Sequence, residues 1–130
     1  MNEPNTRADE LARQVIGAAI EVHRILGPGF LESVYDAALA IELELHGIPY
    51  ERQKSLTLEF KGKVVGDSRL DFLVDGQLIV ELKAVESIHP VFAAKMIHYL
   101  KLCNLELGLI INFNVVLLKD GVKRVALTRN

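Results

Sequence analysis

The chain of 130 residues is long enough to bury one core, and we expect a single domain spanning residues 1–130. Half of its residues are hydrophobic and a quarter are charged, which excludes an intrinsically disordered protein. A formal charge of −2 argues against tight, non-specific binding of nucleic acid through overall charge and leaves a local basic site open. The single cysteine, Cys103, excludes an internal disulfide.

The N-terminal segment is polar and acidic. Residues 1–10, MNEPNTRADE, lack the apolar stretch of a signal peptide. No uninterrupted apolar run in the chain reaches the length needed to span a membrane. The sequence therefore predicts a soluble cytoplasmic protein with no membrane partner and with a flexible tail at residues 1–6.

Two helices are predicted in the first third of the chain. Thr6 and Asp9 have the spacing of a capping box, and Gly27-Pro28-Gly29 ends the first helix. Its apolar residues recur at helical spacing: Leu11, Val15, Ala19, Val22 and Leu26. The second helix ends before Gly47 and Pro49. The residues expected to face inward from it are Leu31, Val34, Tyr35, Ala38, Leu39 and Ile41.

Strands dominate the rest of the chain, around one further helix from Pro90 to about Cys103. The predicted strands cover residues 56–60, 64–74, 78–83, 108–113, 115–118 and 122–127. The last two form a hairpin that turns at Asp120-Gly121. The order α-α-β-β-β-α-β-β-β predicts an α/β (α+β) fold, with a mixed central β-sheet flanked by helices.

Acidic and basic side chains lie close together in the sequence of the predicted hairpin, residues 70–83. Because side chains alternate between the faces of a strand, the even-numbered apolar residues would share one face. These are Leu70, Phe72, Val74, Leu78, Val80 and Leu82. Asp71, Glu81 and Lys83 would then share the other face, where two carboxylates suit a hard divalent cation and the lysine suits a phosphate or an activated water. A polar sheet face stabilised by an ion pair is the simpler alternative.

The length of the hairpin loop decides whether these three residues meet. With a two-residue loop of Asp75-Gly76, Asp71 would face away from Glu81. The apolar side chains of the two strands would then lie on opposite faces of the hairpin. A three-residue loop such as Val74-Asp75-Gly76, with Gly76 in a left-handed conformation, restores a common face. We therefore predict a loop or bulge of odd length.

The chain resembles the GxxExxY proteins. The signature G-x-x-E-x-x-Y is matched by Gly29-Phe30-Leu31-Glu32-Ser33-Val34-Tyr35. Similarity continues through residues 21–23, 26–29, 47–49, 61–62, 81–86, 99–101 and 108–114, so that it covers nearly the whole chain. GxxExxY proteins are similar to the PD-(D/E)XK nuclease superfamily. The resemblance implies a restriction-endonuclease-like core of order α-β-β-β-α-β.

The resemblance also implies a catalytic site. Asp71 and Glu81 match the two motif acids that hold Mg²⁺ or Mn²⁺, with a main-chain carbonyl near Leu82 as a further ligand. Lys83 matches the motif lysine, which orients or helps to deprotonate the attacking water. Glu32 resembles the helix acid that supports the metal, often through water. The implied function is hydrolysis of phosphodiester bonds in DNA, or in RNA.

Three further residues are candidates for substrate binding. This family commonly has Gln where the chain has Lys95, and Lys95 and His98, three residues apart, would share one face of the third helix. Lys95 would contact a phosphate as a point charge, or pair with Asp71 or Glu81 and take the place of the metal. Arg69 precedes Asp71 by two residues and would steady that acid or touch a phosphate.

The sequence leaves three kinds of function open. The first is a metal-dependent nuclease, and the second is an inactive nuclease-like module that binds nucleic acid or a protein. The third is a structural subunit that keeps the acids for stability. A domain of this size has little surface for reading bases, so a homodimer or a protein partner would be needed for specificity.

Overall fold

Within residues 6–127, which the computed structural model describes, three α-helices and a five-stranded mixed sheet form an α+β fold. The helices are α1 (Thr6–Leu26), α2 (Glu32–Leu45) and α3 (Pro90–Cys103). The strands are β1 (Tyr50–Phe60), β2 (Lys63–Val74), β3 (Leu78–Lys83), β4 (Leu107–Asn112) and β5 (Val122–Ala126). They lie in the order β1-β2-β3-β4-β5, and β3 and β4 are the parallel pair. The predicted fold class is confirmed, because α2-β1-β2-β3-α3-β4 follows the order of a restriction-endonuclease-like core.

Helices cover both faces of the sheet and enclose two apolar cores. On one face α1 and α2 pack against side chains of β2, β3 and β4, and the residues buried there include Leu11, Val15, Tyr35, Leu39, Phe72, Val80, Leu109 and Phe113. On the other face α3 packs over Leu70, Ile79, Ile110 and Val125. All six residues of β4 are buried, as expected for a strand covered on both faces.

The ends of α3 follow from local chemistry and confirm the predicted range. The Nδ1 atom of His89 accepts a hydrogen bond of 3.0 Å from the main-chain N–H of Val91, and Pro90 occupies the first helical position. At the other end Asn104 adopts a left-handed conformation with φ 56°, which stops the helix.

The inward face of α2 is narrower than predicted. Tyr35, Leu39 and Leu43 are buried at i, i+4 and i+8. Leu31, Val34 and Ile41 are 75%, 38% and 59% exposed, so the prediction that they face inward is wrong. The side of α2 that contacts α1 and the sheet also includes Ala38 and Ala40, while the larger apolar side chains Val34, Ile41 and Leu45 are exposed.

The predicted final hairpin is wrong. Residues 113–117 form no strand, and Leu118–Gly121 is a short 3₁₀ turn, after which β5 pairs directly with β4. The chain turns sharply here because Asn112 Oδ1 accepts a hydrogen bond of 3.2 Å from the main-chain N–H of Asn114. The Nε2 atom of His23, on α1, lies 2.7 Å from the main-chain oxygen of Val115 and holds the turn against the helix.

The predicted N-terminal tail falls mostly outside the described residues. Residues 1–5 are not among them, and Thr6, the last residue of the predicted tail, is the first residue of α1. In the part of the chain from residue 6 to residue 127, no helix combines the length and the apolar character needed to cross a membrane.

The loop between β2 and β3 has the predicted odd length. Val74 pairs with Leu78, which leaves a loop of three residues, Asp75, Gly76 and Gln77. Gly76 has φ +64°, the left-handed conformation that the prediction required. The loop lies one residue later than the example given from the sequence, because Val74 is still part of the strand. With this register Asp71 and Glu81 come to equivalent positions on the two strands.

Candidate active site between two strands

The strands β2 and β3 separate where the two acids lie. Regular pairing runs from Val74↔Leu78 to Phe72↔Val80 and then stops. Beyond it, the main-chain N–H of Asp71 donates to Glu81 Oε2 at 2.8 Å, and the main-chain N–H of Leu82 donates to Asp71 Oδ2 at 2.8 Å. Two carboxylates therefore accept hydrogen bonds that main-chain carbonyls would accept in an undisturbed ladder.

The pleat of β2 inverts around Asp71, which corrects part of the predicted face. Phe72 is buried against α1 and α2 as expected, but Leu70 is buried on the α3 side. On β1, Gln53 stands opposite this point, has φ 56° and takes no part in the regular pairing with β2. Since its two neighbours face opposite sides, Asp71 directs its side chain between the strands, toward Leu82.

Burial and mutual repulsion shape the charge of the pair. The pKa of Glu81 is raised from 4.5 to about 8, first by burial and second by the negative charge of Asp71. Burial likewise raises the pKa of Asp71, although the hydrogen bond from Leu82 opposes that shift. Within residues 6–127 no lysine, arginine or histidine nitrogen lies within 4.0 Å of either carboxylate. When both Asp71 and Glu81 are ionised, no ion pair in the described part of the chain therefore compensates their charges.

Lys83 extends from the same strand beside Glu81. Its Nζ lies 4.3 Å from the centre of the Phe92 ring, on α3, in a cation–π contact. Its positive charge lowers the pKa values of Asp71 and Glu81. Its main-chain oxygen accepts a hydrogen bond of 2.9 Å from the N–H of Phe113, which fixes the end of β3 against β4.

Glu32 approaches from the other face of the sheet, at the first residue of α2. Although the residue is exposed overall, partial burial of its carboxyl group raises the pKa of Glu32, the charge of Asp71 raises that pKa further, and the charge of Lys83 lowers it. The structure therefore brings together three of the predicted catalytic residues, Asp71, Glu81 and Lys83, and Glu32 is coupled to them through its charge.

The predicted substrate-binding residues divide into two groups. Lys95 lines a small cavity of about 10 Å³ together with Glu81 and Lys83, and its charge lowers the pKa values of Asp71 and Glu81. Its Nζ lies 5.5 Å from the centre of the Tyr99 ring. His98 and Arg69 are exposed, and no hydrogen bond or ion pair among the described residues connects either one to the acids. Arg69 lies between Ser68 and Leu70, which face α3, so it stands on the opposite side of β2.

Sequence reasoning missed Asp36. Its buried carboxylate accepts hydrogen bonds from Arg52 Nε at 2.5 Å and from Gln53 Nε2 at 3.3 Å. Its negative charge also raises the pKa values of Asp71 and Glu32. A signal was available, because Asp36 follows Glu32 by four residues and so lies on the same side of α2.

The donor set suits a divalent cation held by two carboxylates. Asp71 Oδ1 and Glu81 Oε1 accept no hydrogen bond from any of residues 6–127, so one oxygen of each acid is free to coordinate. No three carboxylate, imidazole or thiol groups in that range come close enough together to hold a metal. Mg²⁺ commonly uses one or two protein carboxylates and fills its other positions with water and phosphate oxygens. The pair therefore fits Mg²⁺ or Mn²⁺, and Glu32 is not a third member of a coordinating group.

Comparison with known proteins identifies one family. The sequence model of the PD-(D/E)XK nuclease superfamily matches residues 9–125, a range that contains all of the site residues described above. No curated protein and no solved structure matches the chain.

Proposed function

The chain belongs to the PD-(D/E)XK nuclease superfamily, and we propose that it is a metal-dependent nuclease of the GxxExxY type that hydrolyses phosphodiester bonds in DNA or RNA. One observation carries the proposal. Asp71 and Glu81 meet in the gap between β2 and β3, each fixed by a main-chain N–H and each with one free oxygen, and Lys83 lies next to them.

Asp71, Glu81 and the main-chain carbonyl of Leu82 would hold Mg²⁺ or Mn²⁺. When bound, such an ion acidifies water and offsets negative charge on the phosphate. The two hydrogen bonds of 2.8 Å hold the acids in place before any ion or substrate arrives. Glu32 would accept a hydrogen bond from a water molecule on the α2 side, since it is exposed and is coupled electrostatically to Asp71.

Lys83 would orient the attacking water and stabilise charge near the scissile phosphate. The cation–π contact with the face of the Phe92 ring restricts where Nζ can lie. Lys95, on the α3 side of the same cavity, would contact a phosphate oxygen as a point charge. Both lysines counter the repulsion that two carboxylates exert on a polyanion.

An inactive binding module is the second candidate, and Lys95 is the observation that favours it. Its ammonium group already lowers the pKa values of both acids from a position where related proteins commonly carry an uncharged glutamine. A permanent positive charge beside Glu81 weakens the attraction for a divalent cation. Such a module would bind nucleic acid or a protein partner without cutting it.

Cleavage assays with Mg²⁺ or Mn²⁺ on single- and double-stranded DNA and RNA separate the two candidates. If the chain is a nuclease, Asp71→Ala and Glu81→Ala should each abolish cleavage. Lys83→Met should slow cleavage by about 10²- to 10³-fold. Glu106→Gln, at an exposed carboxylate outside the site, should cut at the wild-type rate. Activity that survives both alanine substitutions would come from a contaminant or another site and would refute the proposal.

Calorimetric titration with Mg²⁺ tests the ion site without any substrate. We expect one binding event in the wild type and none in Glu81→Gln, which keeps the shape of the side chain but loses its charge. Binding that is equal in the two proteins would place the ion elsewhere. The absence of both cation binding and cleavage of the four substrates would support the binding module instead.

Since 130 residues leave little surface for reading bases, sequence specificity would come from a second copy of the chain or from a partner protein.

A further inference from the structure

The strand β1 changes face at the same level as β2. Tyr50 packs against the core beneath α1 and α2, whereas Leu56 packs against the core beneath α3. In a regular strand these two even-numbered residues would lie on one face. Pairing with β2 continues on both sides of Gln53 in a single register, so no residue has been inserted here. Both strands therefore change face where Gln53 stands opposite Asp71.

The backbone of Gln53 accounts for the change of face on β1. Gln53 has φ 56°, a left-handed conformation that residues other than glycine seldom adopt. Arg52 and Gln53 are consecutive, yet both side chains donate to the same carboxylate, that of Asp36 on α2. Consecutive side chains of a regular strand would point to opposite faces. The left-handed residue thus interrupts the alternation of β1.

Asp36 holds Gln53 in this conformation. The Asp36 residue is 8% exposed, and its two oxygens accept from Arg52 Nε at 2.5 Å and from Gln53 Nε2 at 3.3 Å. A left-handed residue with a side chain is strained, and it persists only where surrounding contacts determine its conformation. The carboxylate on α2 supplies two such contacts at adjacent positions of β1.

We propose that Asp36 and Gln53 are positioning residues that direct the carboxylate of Asp71 into the gap between β2 and β3. This inference rests on the proposed function, because it concerns the acid that would hold the ion. If β1 alternated regularly, its partner β2 would do so too, and Asp71 would stand on one face of the sheet instead of reaching the N–H of Leu82. Both residues act through the shape of the two strands and contact neither the ion nor the substrate.

Three variants separate the conformation of residue 53 from general strain. Gln53→Val places a β-branched residue where φ is positive, which should force this position toward an extended conformation. Gln53→Gly permits the left-handed conformation without a side chain. Lys61→Val is the matched control, because Lys61 has φ 52° in the turn at the far end of the same hairpin.

The amide proton of Leu82 reports whether Asp71 reaches it, because this N–H donates to Asp71 Oδ2. Nuclear magnetic resonance of the metal-free protein gives the chemical shift of that proton, and Asp71→Ala supplies its value when the bond is absent. We expect Gln53→Val to move the shift toward the Asp71→Ala value. Gln53→Gly and Lys61→Val should stay near the wild-type value.

Calorimetric titration with Mg²⁺ measures the consequence for the ion. Gln53→Val should bind Mg²⁺ about 10- to 100-fold more weakly, the usual loss when a group that orients a metal ligand is removed. Gln53→Gly should bind more tightly than Gln53→Val, and Lys61→Val should bind like the wild type. Urea unfolding of the same proteins shows whether lost stability alone explains a change, since Lys61→Val should lose stability without losing affinity.

Asp36→Ala is the second perturbation, and it decides the question if Gln53→Val does not fold. It removes the anchor and leaves residue 53 unchanged, so we expect the same change in the Leu82 shift and the same loss of Mg²⁺ affinity. A wild-type Leu82 shift in Asp36→Ala overturns the inference. Equal effects of Gln53→Val and Gln53→Gly overturn it too, as does an equal effect of Lys61→Val. The proposed function is judged separately, by cleavage in the wild type and in Asp71→Ala, and the Leu82 shift can be measured in a chain that cuts nothing.

Discussion

Glu81→Gln tests the electrostatic description of the site through protein stability, with no assay of activity. The pKa of Glu81 is raised from 4.5 to about 8 because burial and the charge of Asp71 disfavour the ionised form. A carboxyl group with a raised pKa binds more protons in the folded state than in the unfolded state at intermediate pH. The free energy of unfolding must therefore fall as the pH rises from 4.5 to about 8. Glutamine keeps the hydrogen bond to the N–H of Asp71 and does not titrate.

The size of the effect follows from the shift. Each pKa unit corresponds to 1.36 kcal/mol, so the full destabilisation above the folded-state pKa is about 5 kcal/mol. Most of it, about 4 kcal/mol, should develop between pH 5 and pH 9. Urea unfolding across that range in EDTA measures the difference between the wild type and Glu81→Gln. The two proteins should have similar stability at pH 5, and the variant should become more stable as the pH rises.

Two controls accompany the comparison of stability between the wild type and Glu81→Gln. Glu106→Gln changes an exposed carboxylate outside the site and should follow the wild-type curve. Adding Mg²⁺ should recover stability for the wild type at pH 8 and above, since a cation favours the ionised pair, and should do nothing for Glu81→Gln. Parallel stability curves for the wild type and Glu81→Gln would show that Glu81 ionises freely, and the account of two uncompensated acids would then be wrong.

Two substitutions test, through the free energy of unfolding, the contacts of Asp36 and the close packing at Gly121. Asp36→Ala removes the buried partner of Arg52 and should lower the free energy of unfolding by about 2 kcal/mol in urea denaturation, because hydrogen bonds to charged groups are lost. Gly121→Ala should cost about 3 kcal/mol or more, since its Cβ would collide with the main-chain oxygen of Asn112, which cannot move without disturbing β4. Gly66→Ala, with open space around the new methyl group, should be close to neutral in the same measurement, and a similar loss there would contradict the steric argument.

The parts of the structure that sequence predicted correctly are those where local signals and burial agree. The odd length of the loop after Val74 could be predicted because the wrong register would place an entire apolar face in solvent. The start of α3 followed from the proline at its first position. The expectation that Glu32 supports the two acids came from family resemblance alone, since Glu32 and Asp71 lie 39 positions apart in the sequence, and it stays a prediction.

The failures occur where long-range contacts override local preference. Residues 115–118 have the composition of a strand, but they do not pair with β5, whose described pairing is with β4. The main-chain oxygen of Val115 instead lies within hydrogen-bonding distance of His23, on α1. Along α2, the apolar residues outnumber the places available against α1 and the sheet, so Val34, Ile41 and Leu45 remain exposed. Neither outcome can be read from residue type or spacing.

The one error of alternation within the hairpin lies at the site itself. Strict alternation would bury Leu70 with Phe72, yet the two side chains enter opposite cores because the pleat inverts at Asp71. That inversion lets the carboxylate of Asp71 reach the N–H of Leu82 instead of standing on one face of the sheet. A regular strand would have continued the ladder between β2 and β3 and left no gap for the two carboxylates. The local departure from strand geometry is thus what opens the gap between β2 and β3 and places two carboxylates in it.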